Sequence, residues 1–205
     1  MLFYKGINME YVKITGEARP DTGKKATKAV RNGGGVPCCI YGEKNINFST
    51  TAKELKNLVY TPAFKLAEIT IGGAAHKCIL KDIQFHPTTE EIVHIDFQEL
   101  IPKRSIKVEV PVTLTGVAKG VRSGGKMLHL LRRIKIKTTP EKLVDELIAN
   151  VDRLELGQSM RVKEIEIPEG IEVLVSPNIP ICQVEIPRAL RSATAAAAAA
   201  EAAGK

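Results

Sequence analysis

The chain has 205 residues, 44% of them apolar, with a formal net charge of +7 and a sequence pI near 9.2. That much apolar material builds a core and excludes a disordered tail protein, and the length suits one large domain or two small ones. The cationic excess favours a polyanionic partner, without by itself separating RNA from DNA or an anionic membrane surface.

No apolar run approaches the roughly 20 residues needed to span a bilayer. Residues 1–8 lack the charged flank, apolar centre and small-residue cleavage site of a secretory signal. The expectation is a cytoplasmic protein with no membrane association, in which residues 1–8 are an extension upstream of a fold that opens at Met9.

In chain order, Tyr11 to Thr15 alternates and predicts a strand. A turn-rich stretch, Arg19 to Gly23, leads to a short helix from Lys24 to Arg31. Ala26, Ala29 and Val30 are expected on its inner side, and Asn32-Gly33 stops it. Val36 to Tyr41 and Ile46 to Phe48 read as strands. Thr51-Ala-Lys-Glu54 has the pattern of a capping box and opens a second helix carrying Leu55, Leu58 and Val59, with Pro62 beyond its end. Glu68 to Ile71, Gly72-Gly73 and His76 to Phe85 predict a hairpin, and Ile92 to Gln98 returns as a strand. Short strands punctuated by turns, with two short helices, argue for a barrel or a strongly curled sheet.

Pro102-Lys103-Arg104 reads as a linker. Beyond it, Ile106, Val108, Val110, Val112 and Leu114 alternate without a miss. Further strands are expected at Arg133 to Lys137, Val162 to Ile167, Glu172 to Val175 and Ile181 to Ile186. Lys142 to Ile148 is weakly helical, or extended if its neighbours override it. Prolines at 111, 168, 177, 180 and 187 suit strand ends and edges. The reading is a mainly β protein: an extension (1–8), a β-barrel domain with short helices (9–99), a second mostly β domain (100–188) and an alanine-rich flexible tail (189–205).

Charge is unevenly placed. Residues 13–31 carry six basic side chains against Glu17 and Asp21, and residues 101–137 carry ten against Glu109. Residues 138–188 reverse the sign, with ten acidic against five basic. Most such runs are solvated surface. On the first helix, however, Lys24, Lys28 and Arg31 fall at i, i+4 and i+7 with Thr27 alongside, a single stripe suited to phosphates.

Several constellations invite a chemical reading. Gly120 to Lys126 matches the G-x-x-x-x-G-K of a phosphate-binding loop, but Met127 replaces the hydroxyl that holds Mg²⁺ and no convincing helix follows. An enzyme binding nucleotide there is the rival class; a basic, flexible loop approaching RNA is the favoured account. Cys38, Cys39, Cys78 and Cys182 form no C-x-x-C pair and read as buried small hydrophobes, not a zinc site. His94 and Asp96 share one strand face near Asp82 and His86. A metal site or acid/base couple there lacks a third ligand and a nucleophile, so no catalytic residue, metal or cofactor is assigned. A hydrogen-bonded pair within the sheet is the plain alternative. The favoured reading is an RNA-facing edge on which Asp accepts from base amino groups or 2′-hydroxyls. Aromatics are scarce, so a stacking platform is poorly supported. Tyr41 is either an interface residue or a core-edge tyrosine.

These residues carry a resemblance. Glu17-Ala-Arg19, Gly23-Lys24, Ala26-Thr27-Lys28, Arg31, Val36-Pro37 and Tyr41-Gly42 form one signature. Asp82-Ile-Gln84-Phe-His86-Pro87 with His94-Ile-Asp96-Phe97 forms another. Together they resemble the family of the bacterial large-subunit ribosomal protein numbered twenty-five. Gly116-Val-Ala-Lys-Gly120-Val, Gly124-Gly125 and Leu154-Glu-Leu-Gly157 resemble the extra β domain of its longer form, the general stress protein CTC type. The resemblance implies a six-stranded N-terminal β-barrel that binds 5S rRNA, with RNA contacts at Arg19, Lys24, Thr27, Lys28, Arg31, Tyr41, Lys81, Asp82, Gln84, His94 and Asp96. Thr27 and Lys28 stand where the family more often has Ser and Arg; Thr keeps the hydroxyl, whereas Lys gives up the bidentate fork. The expectation is a non-enzymatic ribosomal component on 5S rRNA, its second domain touching neighbouring ribosomal proteins or 23S rRNA. The alternative is a stress-related RNA-binding protein acting off the ribosome.

Overall fold

The computed structural model describes residues 10–188, so the expected extension at 1–8 and the alanine-rich tail at 189–205 lie outside the described residues. The described chain divides into two compact units. One contains the chain up to Val108 with Thr138–Asp145; the other contains Glu109–Lys137 and the chain from Glu146.

The first unit holds a closed six-stranded barrel. Its strands are β1 (Tyr11–Ala18), β2 (Gly35–Tyr41), β3 (Ile46–Thr51), β4 (Leu66–Ile71), β5 (Ala74–Phe85) and β6 (Ile92–Glu99), in the order β1-β3-β2-β6-β5-β4. β1 pairs in parallel with β4 and β2 in parallel with β6; the other neighbours are antiparallel. Alternation sets the faces: Ile14, Val36, Cys38, Ile40, Phe48, Ala67, Ile69, Cys78, Ile95 and Phe97 fill the interior. Pro37, with no N–H to give, precedes Cys38, the first residue of β2 that has a β6 partner. The β4–β5 hairpin turns at Gly72 and Gly73, with φ of 56° and 87°, the left-handed pair that a two-residue turn matching strand twist requires.

Closure depends on β1 changing partners. Residues 11–16 pair with β4 and residues 17–18 with β3. At the changeover a Cβ on Gly16 would lie 2.5 Å from Phe48 Cδ2, so only glycine lets the strand lie on that buried ring.

Two helices belong to this unit: α1 (Lys24–Asn32) and α2 (Ala52–Val59), the latter burying Leu55 and Leu58. The expected capping box does not form, because Thr51 makes no side-chain cap. Glu54 turns instead to β1, accepting from Thr15 N at 2.6 Å and from Thr15 Oγ1 at 3.0 Å. A carboxylate between two strands that are just parting satisfies backbone that the ladder leaves open.

The remaining strands form two sheets. One has the order β10-β7-β9-β12, from β7 (Ile106–Thr115), β9 (Arg133–Thr138), β10 (Leu147–Asn150) and β12 (Glu172–Val173). The other has the order β11-β13-β8, from β8 (Lys126–His129), β11 (Ser159–Arg161) and β13 (Pro180–Glu185). The alternating apolar set of β7 is buried from Ile106 to Val112. Three expectations need correction. Val162 to Ile167 is not a strand: a 3₁₀ turn spans Val162–Glu164, and the buried pair Val162 and Ile165 has three-residue spacing, which suits a turn of helix. The strand expected at Glu172 to Val175 is only two residues long. Lys142 to Ile148 forms no helix: a 3₁₀ turn at Pro140–Lys142 ends at its first residue, residues 143–146 have no regular structure, and β10 takes its last two.

Candidate nucleic-acid interface

α1 lays Ala26, Thr27 and Val30, all half-buried, on the β2 side and leaves Lys24, Lys28 and Arg31 exposed, so the stripe read from the sequence exists. Val30 Cγ1 would lie 3.0 Å from a Cβ on Gly35 at the start of β2, which is why the helix sits so close to the strand. Ala29, expected on the inner side, is exposed. At about 100° per residue it falls about 100° round from the centre of the packed side, and a nine-residue helix on one strand buries only a narrow face.

Thr27 is a junction rather than an open surface hydroxyl. Its Oγ1 donates to the Gly23 carbonyl at 2.7 Å and accepts from Arg19 Nη1 at 3.3 Å. Arg19 follows β1, and its backbone N–H donates to Asn47 O at 2.9 Å, continuing the β1–β3 ladder by one bond.

From Arg19 a row of outward-facing residues crosses the barrel wall. Asn47 stands opposite Cys39, Cys39 opposite Asp96, and Asp96 opposite Asp82. Gln84 faces His94 in the next outward pair, and Tyr41 stands beside Gln98 on the other flank. Two irregularities create this face. Between Leu80 and Asp82, β5 advances two residues while β6 advances one, so Lys81 is the extra residue of a bulge. Without it, alternation from Cys78 and Leu80 would send Asp82 and Gln84 into the barrel and Ile83 outside. Between Gln84 and Phe85 the inequality reverses and Val93 is the extra residue on β6. A bulge leaves backbone groups outside the ladder, and the Val93 carbonyl accepts from Arg31 Nε at 3.1 Å. That bond ties the cationic stripe to the strand carrying His94 and Asp96.

The electrostatics of the row are acceptor-rich. Asp82 and Asp96 are cross-strand partners, an arrangement that like charges destabilise unless a donor comes between them. Asp96 Oδ1 is buried without a hydrogen bond; His94 Nδ1 lies 3.3 Å away but out of hydrogen-bond alignment, an ion pair only when the imidazole is protonated. The Tyr41 phenol is held above its ordinary value, first by its hydrogen bond to Cys39 and then by the charges of Cys39 and Asp96. Burial pushes the Cys39 thiol up, the Tyr41 hydrogen bond pulls it down, and Asp96 and Arg19 act in opposite directions after that. The Cys39 thiol thus lies within the fields of Tyr41, Asp96 and Arg19. Tyr41 is 45% exposed, so its ring is available at the edge of the row.

The structure thus brings together Arg19, Lys24, Thr27, Lys28 and Arg31 on or beside α1, and Tyr41, Asp82, Gln84, His94 and Asp96 on the wall it abuts. Lys81 differs: as the bulge residue it has no β6 partner, and its Nζ donates to the Lys107 carbonyl at 3.1 Å. The sequence reading missed Cys39, Asn47 and Gln98 on this face. Parity offered a signal for two of them, since Cys39 is two residues from Tyr41 and Gln98 two from Asp96. All four cysteines are free and buried, as expected, although Cys39 lies under the polar row and not in the barrel interior. No group of three or more His, Cys, Asp or Glu suited to a metal occurs among the described residues.

The Gly120 to Lys126 segment has the wrong architecture for a nucleotide loop. A one-turn helix, α3 (Lys119–Arg122), precedes the second glycine pair and β8 begins at Lys126. Gly120 is buried, and its α-carbon packs on backbone: a Cβ there would lie 2.7 Å from Glu155 C and Leu156 N. Its glycine is explained by that close approach.

Comparison with known proteins bears on both halves of the chain. Residues 14–97 match the Ribosomal L25p family, and residues 105–188 match the C-terminal domain of ribosomal protein TL5. The chain is 41% identical over 197 residues to the large ribosomal subunit protein bL25 of Phocaeicola vulgatus, covering 92% of this chain and 99% of that one. It is 38% identical over 188 residues to bL25 of Porphyromonas gingivalis (90% and 97% covered) and 38% identical over 198 residues to bL25 of Amoebophilus asiaticus (96% and 98% covered).

Proposed function

Because the chain belongs to the bL25 family of large ribosomal subunit proteins, we propose that it is a structural, non-enzymatic component of the bacterial large subunit that holds 5S rRNA through its barrel. The α1 stripe neutralises phosphates and sets register. Arg19, Tyr41, Asp82, Gln84, His94 and Asp96 then meet base edges and 2′-hydroxyls, and Lys81 adds charge at the rim.

The observation that carries this reading is the Arg31 Nε bond to the Val93 carbonyl. It fixes a phosphate-seeking helix beside an acceptor-rich face of the barrel wall, so one duplex is offered both kinds of contact at once. Acidic side chains repel phosphate, and their presence next to three exposed cations is accounted for by donors on the RNA: amino groups and ribose hydroxyls. RNA binding resides in residues 9–99, while residues 100–188 engage neighbouring ribosomal proteins or 23S rRNA.

The test is a pull-down of total bacterial RNA on the purified full chain, with the captured RNA sequenced, followed by titration of 5S rRNA against an unrelated duplex of equal length. The expected result is enrichment of 5S rRNA and a preference over the duplex that persists as salt rises. Equal affinity for both RNAs refutes the proposal. Cosedimentation with large subunits after a high-salt wash is expected as well; its loss, with 5S preference retained, points to action off the ribosome.

A further inference from the structure

Within the interface, and resting on the RNA-binding reading just given, we infer that Thr27 is a positioning residue: it orients Arg19 for RNA and makes no phosphate contact of its own. A threonine hydroxyl has one proton. Here that proton goes to the Gly23 carbonyl at 2.7 Å, an oxygen that also accepts from Thr27 N at 3.0 Å and closes the first turn of α1. Phosphate oxygens only accept, so Thr27 cannot bind one without abandoning this bond. What the hydroxyl retains is acceptor capacity, and Arg19 Nη1 uses it at 3.3 Å.

Arg19 needs such a partner. Its Nε is buried with no hydrogen-bond partner among the described residues, and Thr27 holds the fork at Nη1. A guanidinium on a flexible stem loses side-chain freedom when it binds, and a pre-placed one loses less. Thr27 fixes one Nη of the fork at the α1 end of the polar row, which runs on through Asn47 and Cys39 to Asp96. The relay Gly23 carbonyl, Thr27 hydroxyl, Arg19 guanidinium thus carries the geometry of the helix start into the polar row.

The full chain is titrated with 5S rRNA over a range of KCl for Thr27→Val, Thr27→Ser, Arg19→Ala and the double variant Thr27→Val with Arg19→Ala. Valine keeps the shape and removes the oxygen. Thr27→Val is expected to weaken binding about tenfold, the scale of one lost hydrogen bond to a charged group. Thr27→Ser is expected within about twofold of the parent. The double variant is expected to bind like Arg19→Ala alone, since the hydroxyl acts through the arginine. Additive losses in the double variant, or a full-strength Thr27→Val, overturn the inference.

A second readout uses the free protein, so that it holds whatever RNA the chain prefers. The heteronuclear NOE of the Arg19 Nε–H is expected to fall sharply in Thr27→Val and to stay at the parent value in Thr27→Ser. An Arg19 signal equally ordered in both variants also overturns the inference. Failure of 5S preference in the parent chain, with the NOE result as expected, refutes the RNA assignment and leaves the positioning role standing.

Discussion

Gly16→Ala tests the packing that lets the barrel close. The added Cβ would lie 2.5 Å from Phe48 Cδ2, 3.1 Å from Cε2 and 3.3 Å from Cγ, whereas carbon atoms in favourable contact stand about 3.5–4.0 Å apart. Phe48 is fully buried and its ring centroid lies 5.9 Å from that of Phe97, itself fully buried, so the ring has a packed neighbour behind it. Overpacking of this kind costs about 1–3 kcal/mol. Alanine restricts the unfolded chain and returns about 0.4–1 kcal/mol, leaving a net loss between about 0 and 2.6 kcal/mol, with central values giving about 1.3 kcal/mol. For a domain of this size that central loss lowers Tm by about 5–10 °C. Calorimetry of the parent, Gly16→Ala, Phe48→Leu and the double variant measures it. The double variant should lose less than the sum of the singles, because leucine lacks the ring's Cε2 and carries its Cδ atoms on a rotatable bond, so it can turn away from the new methyl where the flat ring cannot. An unchanged or raised Tm for Gly16→Ala, or strict additivity in the cycle, refutes the packing argument.

Lys24→Ala and Arg31→Ala should each weaken 5S rRNA binding and lower the dependence of log K on log salt by about one; titration at four or more KCl concentrations reads this, and two unaltered slopes rule out phosphate contact by the stripe. Asp96→Ala should weaken binding with little effect on the slope, and chemical footprints unchanged at every base would remove its reading role. At alkaline pH the barrel should lose stability through its core thiols. Burial pushes Cys38 and Cys78 up to about 12 from an ordinary 9.0, so above 9 the unfolded chain releases protons that the folded chain retains. The thiol contribution is complete below 9 and disappears as pH rises from 9 toward 12, at up to about 1.4 kcal/mol per thiol per pH unit. Urea melts between pH 8 and 11 follow it, and a slope no flatter after Cys38→Ala and Cys78→Ala contradicts this origin.

Much of the molecule is written in local periodicity. Alternation from Ile106 to Leu114 and the helical spacing of Lys24, Lys28 and Arg31 each reveal a face within a few residues of chain, and the structure keeps both. The hairpin at Gly72-Gly73 is equally local, because the turn itself demands left-handed backbone. Thr51-Ala-Lys-Glu54 shows the limit of such signals: the pattern fits a cap, yet Thr15 on a strand 39 residues away from Glu54 takes the carboxylate.

By itself the sequence determined which segments are strands or helices over most of the barrel, and which side chains supply charge. Only the tertiary structure decided which of those side chains share a surface. A bulge exists only relative to the strand opposite, so the extra residues Lys81 and Val93, which turn Asp82 and Gln84 outward and free a carbonyl for Arg31, have no local signature beyond the three-residue gap from Leu80 to Ile83. Closure in the order β1-β3-β2-β6-β5-β4 likewise joins Arg19, Cys39 and Asp96, residues far apart in the chain, through backbone pairings whose energy depends on neighbours that no short window contains.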